Sequence, residues 1–389
     1  MTSLTATPSS PSGDATNGRA GARVRDWRGA AGLAAAVVAI VAVFAMPARH
    51  AAPRPVLAAA ISAPALSSRW PAARPFAIPS VLPGGSPFRP KLVLNPSATV
   101  GVATSPDKRR VSLVIASGSG SARTLRTGTA GLVSFAAITA YGDQLFWLDN
   151  DIGTSGQQHT SLWSARVAGA GPPQRLAADV ATPNVDGTRY SLQLDGGRLY
   201  WADSQQLDAT VTRLRSIPVE GGQVTTRTVP GRWQLSAWPW LATLPSPGKP
   251  AALLNLVTGA RTEVRARAGE ALLCGPSWCR VTAGDVRQPQ DTTLMRPDGT
   301  HSQRIATGGT TAITDEVALQ GHFEPLGGAV NPNGITTATP LTLYDLRTAS
   351  TVLIDPAATD ARASGDYLWW SSGDNETLSW HGLDLRALG

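Results

Sequence analysis

The residues best suited to chemistry are two cysteines, Cys274 and Cys279, which are the only thiols of the chain. Gly-Pro-Ser-Trp separates them, and a loop of this length fits a tight hairpin with the two side chains on adjacent strands. In an oxidising compartment such a pair forms a disulfide, and closing so short a loop contributes about 2 kcal/mol in the chain-entropy model. A redox-active pair is less favoured because the CxxC spacing is absent, and a zinc site would need two more ligands nearby.

No other motif assembles a catalytic or cofactor-binding set. The five histidines form neither HExxH nor a chelating pair, and the sequence contains no GxSxG elbow, Walker A loop or dinucleotide fingerprint. We therefore expect no catalytic residue, no metal site and no cofactor. The histidines are His50, His159, His301, His322 and His381.

Three acidic segments carry only partial patterns. Residues 149–153 (DNDIG) resemble the start of a calcium loop but lack the fifth ligand and the distal glutamate, so we expect a solvated turn. Residues 372–374 with Trp380 resemble a sialidase Asp-box with one replaced glycine, and that box is structural. Asp315 and Glu316 are adjacent, and neighbouring side chains of a strand point to opposite faces, so we expect them not to share a substrate.

Tryptophans form one candidate ligand surface. Trp233, Trp238 and Trp240 cluster in the segment RWQLSAWPW, and part of this group can stack on a ligand such as a sugar if it lies on a loop face. Core packing is the alternative, because it explains buried aromatic residues equally well.

The elements that must position these residues are short β-strands separated by Gly, Asp and Pro. One unit recurs, a glycine turn that leads into an aromatic strand, and a second strand with a Gly-rich or polar turn follows it. The first unit occurs at 142–148 (GDQLFWL), 196–202 (GGRLYWA) and 365–371 (GDYLWWS), and the second at 162–171, 214–222 and 378–385.

Unequal repeats of about 40–50 residues with several short strands each predict an all-β fold, a β-propeller of about seven blades, with six as the alternative count. The last blade is short, so we expect residues near 92–103 to supply its missing strand and close the ring. A pair of β-sandwiches is the alternative fold. The predicted blades are 95–127, 133–178, 186–230, 235–266, 269–308, 313–356 and 362–388.

The recurring aromatic strand, the turn after it and the LLCGPSWC hairpin resemble the TolB-like or WD40-like propeller proteins of actinobacteria. The resemblance covers about 295 residues and implies a membrane-attached propeller. TolB itself implies a partner-binding role, but its partner system belongs to double-membrane bacteria and this chain has no separate N-terminal domain like that of TolB. The TolB role therefore does not carry over.

The net charge of +7 is concentrated at one end of the chain. Residues 1–95 contain ten Lys and Arg against two Asp, a net of +8, and residues 96–389 contain 24 against 25, a net of −1. The predicted propeller thus has no overall positive field to attract a phosphate backbone, and we expect no nucleic-acid partner.

A membrane anchor is predicted at residues 29–46 (GAAGLAAAVVAIVAVFAM), which carry no charge. An α-helix of this length spans about 27 Å, close to the hydrocarbon thickness of a bilayer. Four arginines precede it, so the N-terminus is expected in the cytoplasm and the rest outside. The alternative is a signal peptide that is cleaved, which would give a secreted protein.

The remaining boundaries follow from composition. Residues 1–28 are predicted to be a disordered cytoplasmic tail, and residues 47–90 a Pro/Ala-rich extracytoplasmic stalk because they contain ten prolines. The β-propeller domain is then expected to span residues 91–389.

These expectations lead to a functional hypothesis. We expect a module of the cell envelope that binds an unknown envelope protein or a glycan ligand and contacts the lipid bilayer through residues 29–46. The alternative is a propeller enzyme, a lyase or hydrolase, with its residues gathered in the central channel. A fold of this kind does not decide between the two.

Overall fold

The structure is a computed structural model that describes residues 63–153, 156–169, 171–180, 189–203, 210–285, 288–308, 310–328, 338–374 and 377–389. These residues belong to one compact unit spanning residues 61–389. The predicted tail, the predicted anchor at 29–46 and residues 47–62 of the predicted stalk lie outside the described residues. No helix within the described ranges is long and apolar enough to cross a membrane.

The described chain is almost entirely β-structure, with one short helix, α1 (Leu66–Arg69), and two 3-10 turns at Arg189–Ser191 and Leu385–Leu388. The strands are β1 (Phe76–Ile78), β2 (Val81–Leu82), β3 (Ser86–Asn95), β4 (Ala98–Thr104), β5 (Arg110–Ser117), β6 (Ala122–Thr129), β7 (Val133–Tyr141), β8 (Gln144–Ile152), β9 (Gln158–Arg166), β10 (Gln174–Ala177), β11 (Gln193–Asp195), β12 (Arg198–Asp203), β13 (Val211–Pro218), β14 (Thr225–Pro230), β15 (Trp233–Leu235), β16 (Trp240–Thr243), β17 (Ala251–Asn255), β18 (Arg261–Val264), β19 (Glu270–Cys274), β20 (Cys279–Asp285), β21 (Gln288–Met295), β22 (Gln303–Thr307), β23 (Thr310–Ala312), β24 (Phe323–Gly328), β25 (Thr339–Asp345), β26 (Ser350–Ser364), β27 (Tyr367–Ser372) and β28 (Ser379–Asp384).

These strands form six antiparallel sheets of four to seven strands, consistent with a β-propeller of about six blades. The sheets are β2–β6, β7–β10, β11–β14, β15–β18, β19–β22, and a seven-stranded sheet in the order β1-β28-β27-β26-β25-β24-β23. The four four-stranded sheets agree with the predicted blades 133–178, 186–230, 235–266 and 269–308.

The predicted aromatic strands are confirmed, and their local sequence explains them. β8, β12 and β27 each follow a two-residue turn, and Gly196 and Gly197 in one of these turns both have positive φ. Glycine adopts this conformation without a steric penalty, and the resulting turn matches the twist of a hairpin. Trp147, Trp201 and Trp369 on these strands are 0%, 0% and 2% exposed.

The seven-stranded sheet has two halves that share its longest strand, β26. Residues 350–358 of β26 pair with β25 and residues 358–364 pair with β27, so Ala358 pairs with both strands, and a register shift lies on each side of it. The apolar faces of the two halves pack against each other, for example through Leu343 and Val352 of one half and Leu368 and Trp370 of the other. A strand that changes partners in this way joins two packed layers of one ring.

The end of the ring is closed by the N-terminal part of the folded unit. β1 pairs antiparallel with β28, with Phe76 opposite Gly382 and Ile78 opposite Trp380. The predicted closing segment 92–103 is wrong, because those residues form β3 and β4 of the first sheet. The predicted domain start at Lys91 is also too late, since β1 and β2 lie within the segment assigned to the stalk. Density of proline does not exclude a three-residue strand between Pro75 and Pro79.

The core consists of apolar layers between neighbouring sheets. Within the described residues, seven clusters of buried side chains form these layers, and one of them lies between the two halves of the seven-stranded sheet. Another packs Tyr367, Trp369 and Trp380 of that sheet against Phe88 and Val114 of the first sheet. Each sheet therefore buries both faces, which requires a closed ring.

We predict that Gly382→Ala weakens this closure. The new methyl group would lie 2.3 Å from the ring of Phe76, so either the strand pair or the ring must move. The free energy of unfolding should fall by about 1–3 kcal/mol, as for other overpacked sites. Urea unfolding of the full chain measures it.

The matched control is Gly171→Ala, because no heavy atom lies within 4 Å of the added methyl there. Combining Gly382→Ala with Phe76→Leu removes the ring edge and should restore part of the lost stability, so the two substitutions are not additive. Equal effects of the two alanine substitutions would contradict the role of this contact.

Candidate functional site

The predicted disulfide between Cys274 and Cys279 is present, with the two residues opposite each other at the end of β19 and the start of β20. Both residues are almost fully buried, at 3% and 0% exposure, and no cysteine is free. Trp278 in the connecting loop donates a hydrogen bond from Nε1 to the Gly321 carbonyl at 2.9 Å. The hairpin is thereby tied to a neighbouring loop that lines the centre of the ring.

The three tryptophans of the proposed stacking surface do not form one platform. Trp233 is 3% exposed and donates its indole N–H to the Pro230 carbonyl, so it is a core residue and the prediction for it is wrong. Trp240 is half-buried against the core between two sheets. Of the three tryptophans, only Trp238 borders a cavity, which holds about 320 Å³. Tyr200 borders the same cavity, and the ring centres of Trp238 and Tyr200 are 4.1 Å apart.

Two other expectations also change. Asp149 belongs to β8 and not to a solvated turn, because it is 2% exposed and pairs with Arg126 at 2.8 Å. Asp315 and Glu316 follow the end of β23, so the strand argument that separated them does not apply. Both residues line the same cavity of about 340 Å³.

Of the Asp-box segment, residues 372–374 form the end of β27 and a turn. Asp374 accepts hydrogen bonds from the amide and hydroxyl of Thr377 through Oδ1, both at 2.9 Å. These hydrogen bonds give Asp374 a structural role.

A concave region with several charged residues is lined by parts of β3, β7, β15, β19, β23 and β26 together with the 3-10 turn at Arg189–Ser191. Three cavities of about 380, 340 and 420 Å³ are found there, and Arg189 lines all three. We call this region the central channel. Its other lining residues include Lys91, Asp315, Glu316, Arg362 and Asp366.

Arg189 is held by Glu316. Its guanidinium lies 2.9 Å from Glu316 Oε1, and the side chains are 44% and 4% exposed. Tyr190 also donates its hydroxyl to Oε1 at 3.4 Å, and the Gly365 amide donates to Oε2 at 3.1 Å. Burial raises the pKa of Glu316 above its ordinary value, and Arg189 is the largest influence in the opposite direction.

A second, buried pair positions the loop that carries Glu316. Arg280 donates from Nε to Glu324 Oε1 at 2.6 Å, and the two residues are 6% and 0% exposed. The same guanidinium donates to the carbonyls of Thr314 and Glu316 at 2.7 and 3.1 Å. Glu324 in turn accepts the amide of Ala318 at 2.8 Å.

These contacts fix residues 314–318 from both sides. Since Arg280 directly follows Cys279, the disulfide hairpin, the buried ion pair and the channel glutamate form one continuous arrangement. Burial raises the pKa of Glu324, with Arg280 opposing it, as expected for a carboxylate removed from water.

Sequence patterns did not reveal Arg189, and they drew attention to Glu316 only as half of an acidic pair with Asp315 that was set aside. Arg189 lies in the 3-10 turn before β11 and Glu316 in the loop between β23 and β24, so only the folding of distant segments into one ring brings them together. Within the described residues there is no group of three or more His, Cys, Asp and Glu side chains arranged to hold a metal ion.

We predict that Arg189→Gln lowers stability in a pH-dependent manner. Without the arginine, the folded-state pKa of Glu316 rises further above its ordinary value of 4.5. Well below pH 4.5 the Glu316 carboxyl is protonated in both the folded and the unfolded state, so the variant loses little stability. As the pH rises, the unfolded state ionises first and the variant loses stability progressively.

At pH 7 the expected loss is about 2 kcal/mol, less than for a fully buried pair because water reaches Arg189. Urea unfolding between pH 4 and 8 measures it. Arg166→Gln is the control, since Arg166 and its partner Asp143 are 71% and 41% exposed. If the difference in the free energy of unfolding between Arg189→Gln and the wild type stays constant or shrinks with rising pH, Glu316 is not the group that Arg189 stabilises.

Comparison with known proteins identifies no family. No protein-family model matches the chain, and no curated protein matches it. Similar solved structures include a Pyrococcus horikoshii acylaminoacyl peptidase, with 8% identity and a TM-score of 0.45, covering 65% of this chain and 45% of that chain. The chain therefore corresponds to less than half of that peptidase.

Two further structures have comparable similarity. The β-propeller domain of the Trilobed protease from Pyrococcus furiosus has 10% identity and a TM-score of 0.42, covering 64% of this chain and 82% of that chain. Prolyl oligopeptidase B from Galerina marginata has 9% identity and a TM-score of 0.47, covering 77% of this chain and 47% of that chain. At this level the similarity concerns the fold alone, which the six antiparallel sheets indicate to be a β-propeller, and it carries nothing about activity.

Proposed function

We propose that the chain is a membrane-anchored, extracytoplasmic β-propeller that binds a ligand in its central channel. The single observation that carries this is the convergence of three cavities on Arg189. Concave regions with a few fixed polar groups and apolar walls are where proteins bind small molecules. Arg189 is held in place by Glu316 and Tyr190 and still exposes 44% of its side chain.

The ring proposed here has seven blades, two of which share β26. Supporting observations are the two pairing partners of β26 and the apolar layer between the two halves of the seven-stranded sheet. In this arrangement β1 supplies the outer strand of the last blade. The resemblance to TolB-like or WD40-like propellers of actinobacteria belongs to the same proposal.

The extracytoplasmic location has two supports. The uncharged segment 29–46 follows four arginines, as in anchors whose N-terminus stays in the cytoplasm. The disulfide between Cys274 and Cys279 suits an oxidising compartment, because cytosolic thiols are kept reduced. An envelope protein or a glycan is the proposed partner, and a nucleic acid is not.

A propeller enzyme is the second candidate. Charged side chains converge in the channel, and Glu316 has a raised pKa beside the hydroxyl of Tyr190, a combination that can serve acid–base chemistry. However, both oxygens of Glu316 already accept hydrogen bonds from the protein, which favours a positioning role for this residue.

The proposed topology predicts the behaviour of C-terminal reporters. Alkaline phosphatase fused after Gly389 should be active in intact bacterial cells, because it needs an oxidising compartment, and green fluorescent protein at the same place should be dark after Sec export. The fusion should stay in the membrane fraction after an alkaline wash. Active fluorescent protein with inactive phosphatase would reject the topology, and a soluble exported fusion would indicate cleavage.

The proposed ligand site predicts a bound small molecule. The full chain, purified from membranes in detergent, should carry an added mass in native mass spectrometry that is lost or reduced in Arg189→Gln. Arg166→Gln, on the exposed surface, should keep it. Absence of any added mass in the wild type, or equal occupancy in both variants, would count against a ligand in this channel. Release of a chemically altered molecule would support the enzyme instead.

A further inference from the structure

We propose that the channel cavity beside β3 binds a small organic carboxylate, with its anionic group at Lys91 and Arg362 and its apolar body against Leu92 and Ile313. This inference rests on the proposed function, because it names the ligand class of the same channel. The cavity holds about 380 Å³, enough for a small molecule.

Positive charge exceeds negative charge in this cavity. Its lining includes three cations, Lys91, Arg189 and Arg362, and one carboxylate, Asp315. Arg189 is already engaged by Glu316. Arg362 has a longer ion pair, from Nε to Asp360 Oδ1 at 3.5 Å, and Lys91 has none among the described residues, so these two are the cations that a ligand can meet.

Lys91 is a half-buried cation without a protein partner. Its ammonium makes no hydrogen bond or ion pair with any residue in the described ranges. Burial lowers the pKa of Lys91, the nearby Arg362 and Arg89 lower it further, and Asp360 acts in the opposite direction. A bound anion would supply the missing counter-charge.

Local backbone structure places this lysine. On β4, Gly101 pairs with Pro90 and Val100 pairs with Leu92, so Lys91 is the extra residue of a β-bulge. Bulges re-aim a side chain and occur next to functional sites. A second bulge lies on the neighbouring β7, where Ala137 has a φ of +48° and lines the same cavity.

Asp360 cannot neutralise the cations around it. Its two oxygens already serve Arg89, at 2.7 Å, and Arg362, at 3.5 Å. Counting Lys91, three cations surround this single carboxylate. The Arg362 Nε that lies 3.5 Å from Asp360 makes no hydrogen bond within the described residues, so this ion pair is a loose one. Guanidinium and ammonium groups in this state are the ordinary partners of a carboxylate.

The wall of the cavity suits an apolar body. Leu92 and Ile313 are only partly buried and line it, in front of the core residues Phe135 and Trp369. An inorganic anion would leave these surfaces in contact with water, whereas a carboxylate with a ring or alkyl body would cover them. This favours an amphiphilic anion.

Lysine labelling tests the inference directly, since the chain has only three lysines, Lys91, Lys108 and Lys249. The latter two are exposed and serve as internal controls. The full chain in detergent is acetylated with acetic anhydride in the presence of benzoate, of its neutral analogue benzamide, or of acetate, and each lysine is quantified by mass spectrometry.

Benzoate should suppress acetylation of Lys91 while Lys108 and Lys249 are unchanged. Benzamide should not protect, because it lacks the charge, and acetate should protect only at higher concentration, because it lacks the apolar body. In Arg362→Gln the half-protecting benzoate concentration should rise about tenfold, equivalent to one charge-assisted hydrogen bond. Arg166→Gln should match the wild type.

Equal protection by benzamide and benzoate, suppression at all three lysines, or no effect on Lys91 would overturn the inference. If Lys91 is unprotected while a neutral molecule is retained in the channel, the inference of a carboxylate ligand is wrong and the proposed ligand-binding function is retained. If no molecule is retained and Lys91 is unprotected, both proposals fail.

Discussion

The structure depends on the requirement that every sheet cover both of its faces. Trp147, Trp201 and Trp369 are almost completely buried, each in the apolar layer between one sheet and the next. An open row of sheets would expose such a layer at each end, at about 25 cal/mol for each Å² of apolar surface. Pairing of β1 with β28 removes the open ends, and it does so by joining residues that are more than 300 apart in the chain.

Closure also determines what happens at the axis. Parts of several sheets meet there, and their ends bring in polar groups that no local pattern connects. Glu316 would be an unfavourable buried carboxylate by itself, but Arg189 and Tyr190 from the 3-10 turn before β11 and the Gly365 amide from the turn between β26 and β27 satisfy it. The loop holding it is fixed by Arg280 and Glu324, so the channel is preorganised by contacts that reach back to the disulfide hairpin.

Local features were predictable from the sequence and contacts between distant segments were not. The aromatic strands and the cysteine hairpin depend on turns of two to four residues, which composition and spacing reveal. The strand Phe76–Ile78 was missed because proline density was averaged over residues 47–90, although none of its three residues is a proline. Asp149 was misassigned because its acidic neighbours suggest solvent, whereas Arg126 from the adjacent sheet allows it to be buried.

Buried charge separates structural residues from the residues assigned here to binding. Arg280, Asp203 and Asp149 are each paired with an opposite charge, which limits the cost of removing them from water. Among the described residues Lys91 has no such partner, and two arginines add to the cost of burying its charge. A neutral side chain at the bulge would be less costly for folding alone. An unpaired cation is therefore better explained by a ligand that arrives after folding than by the stability of the ring.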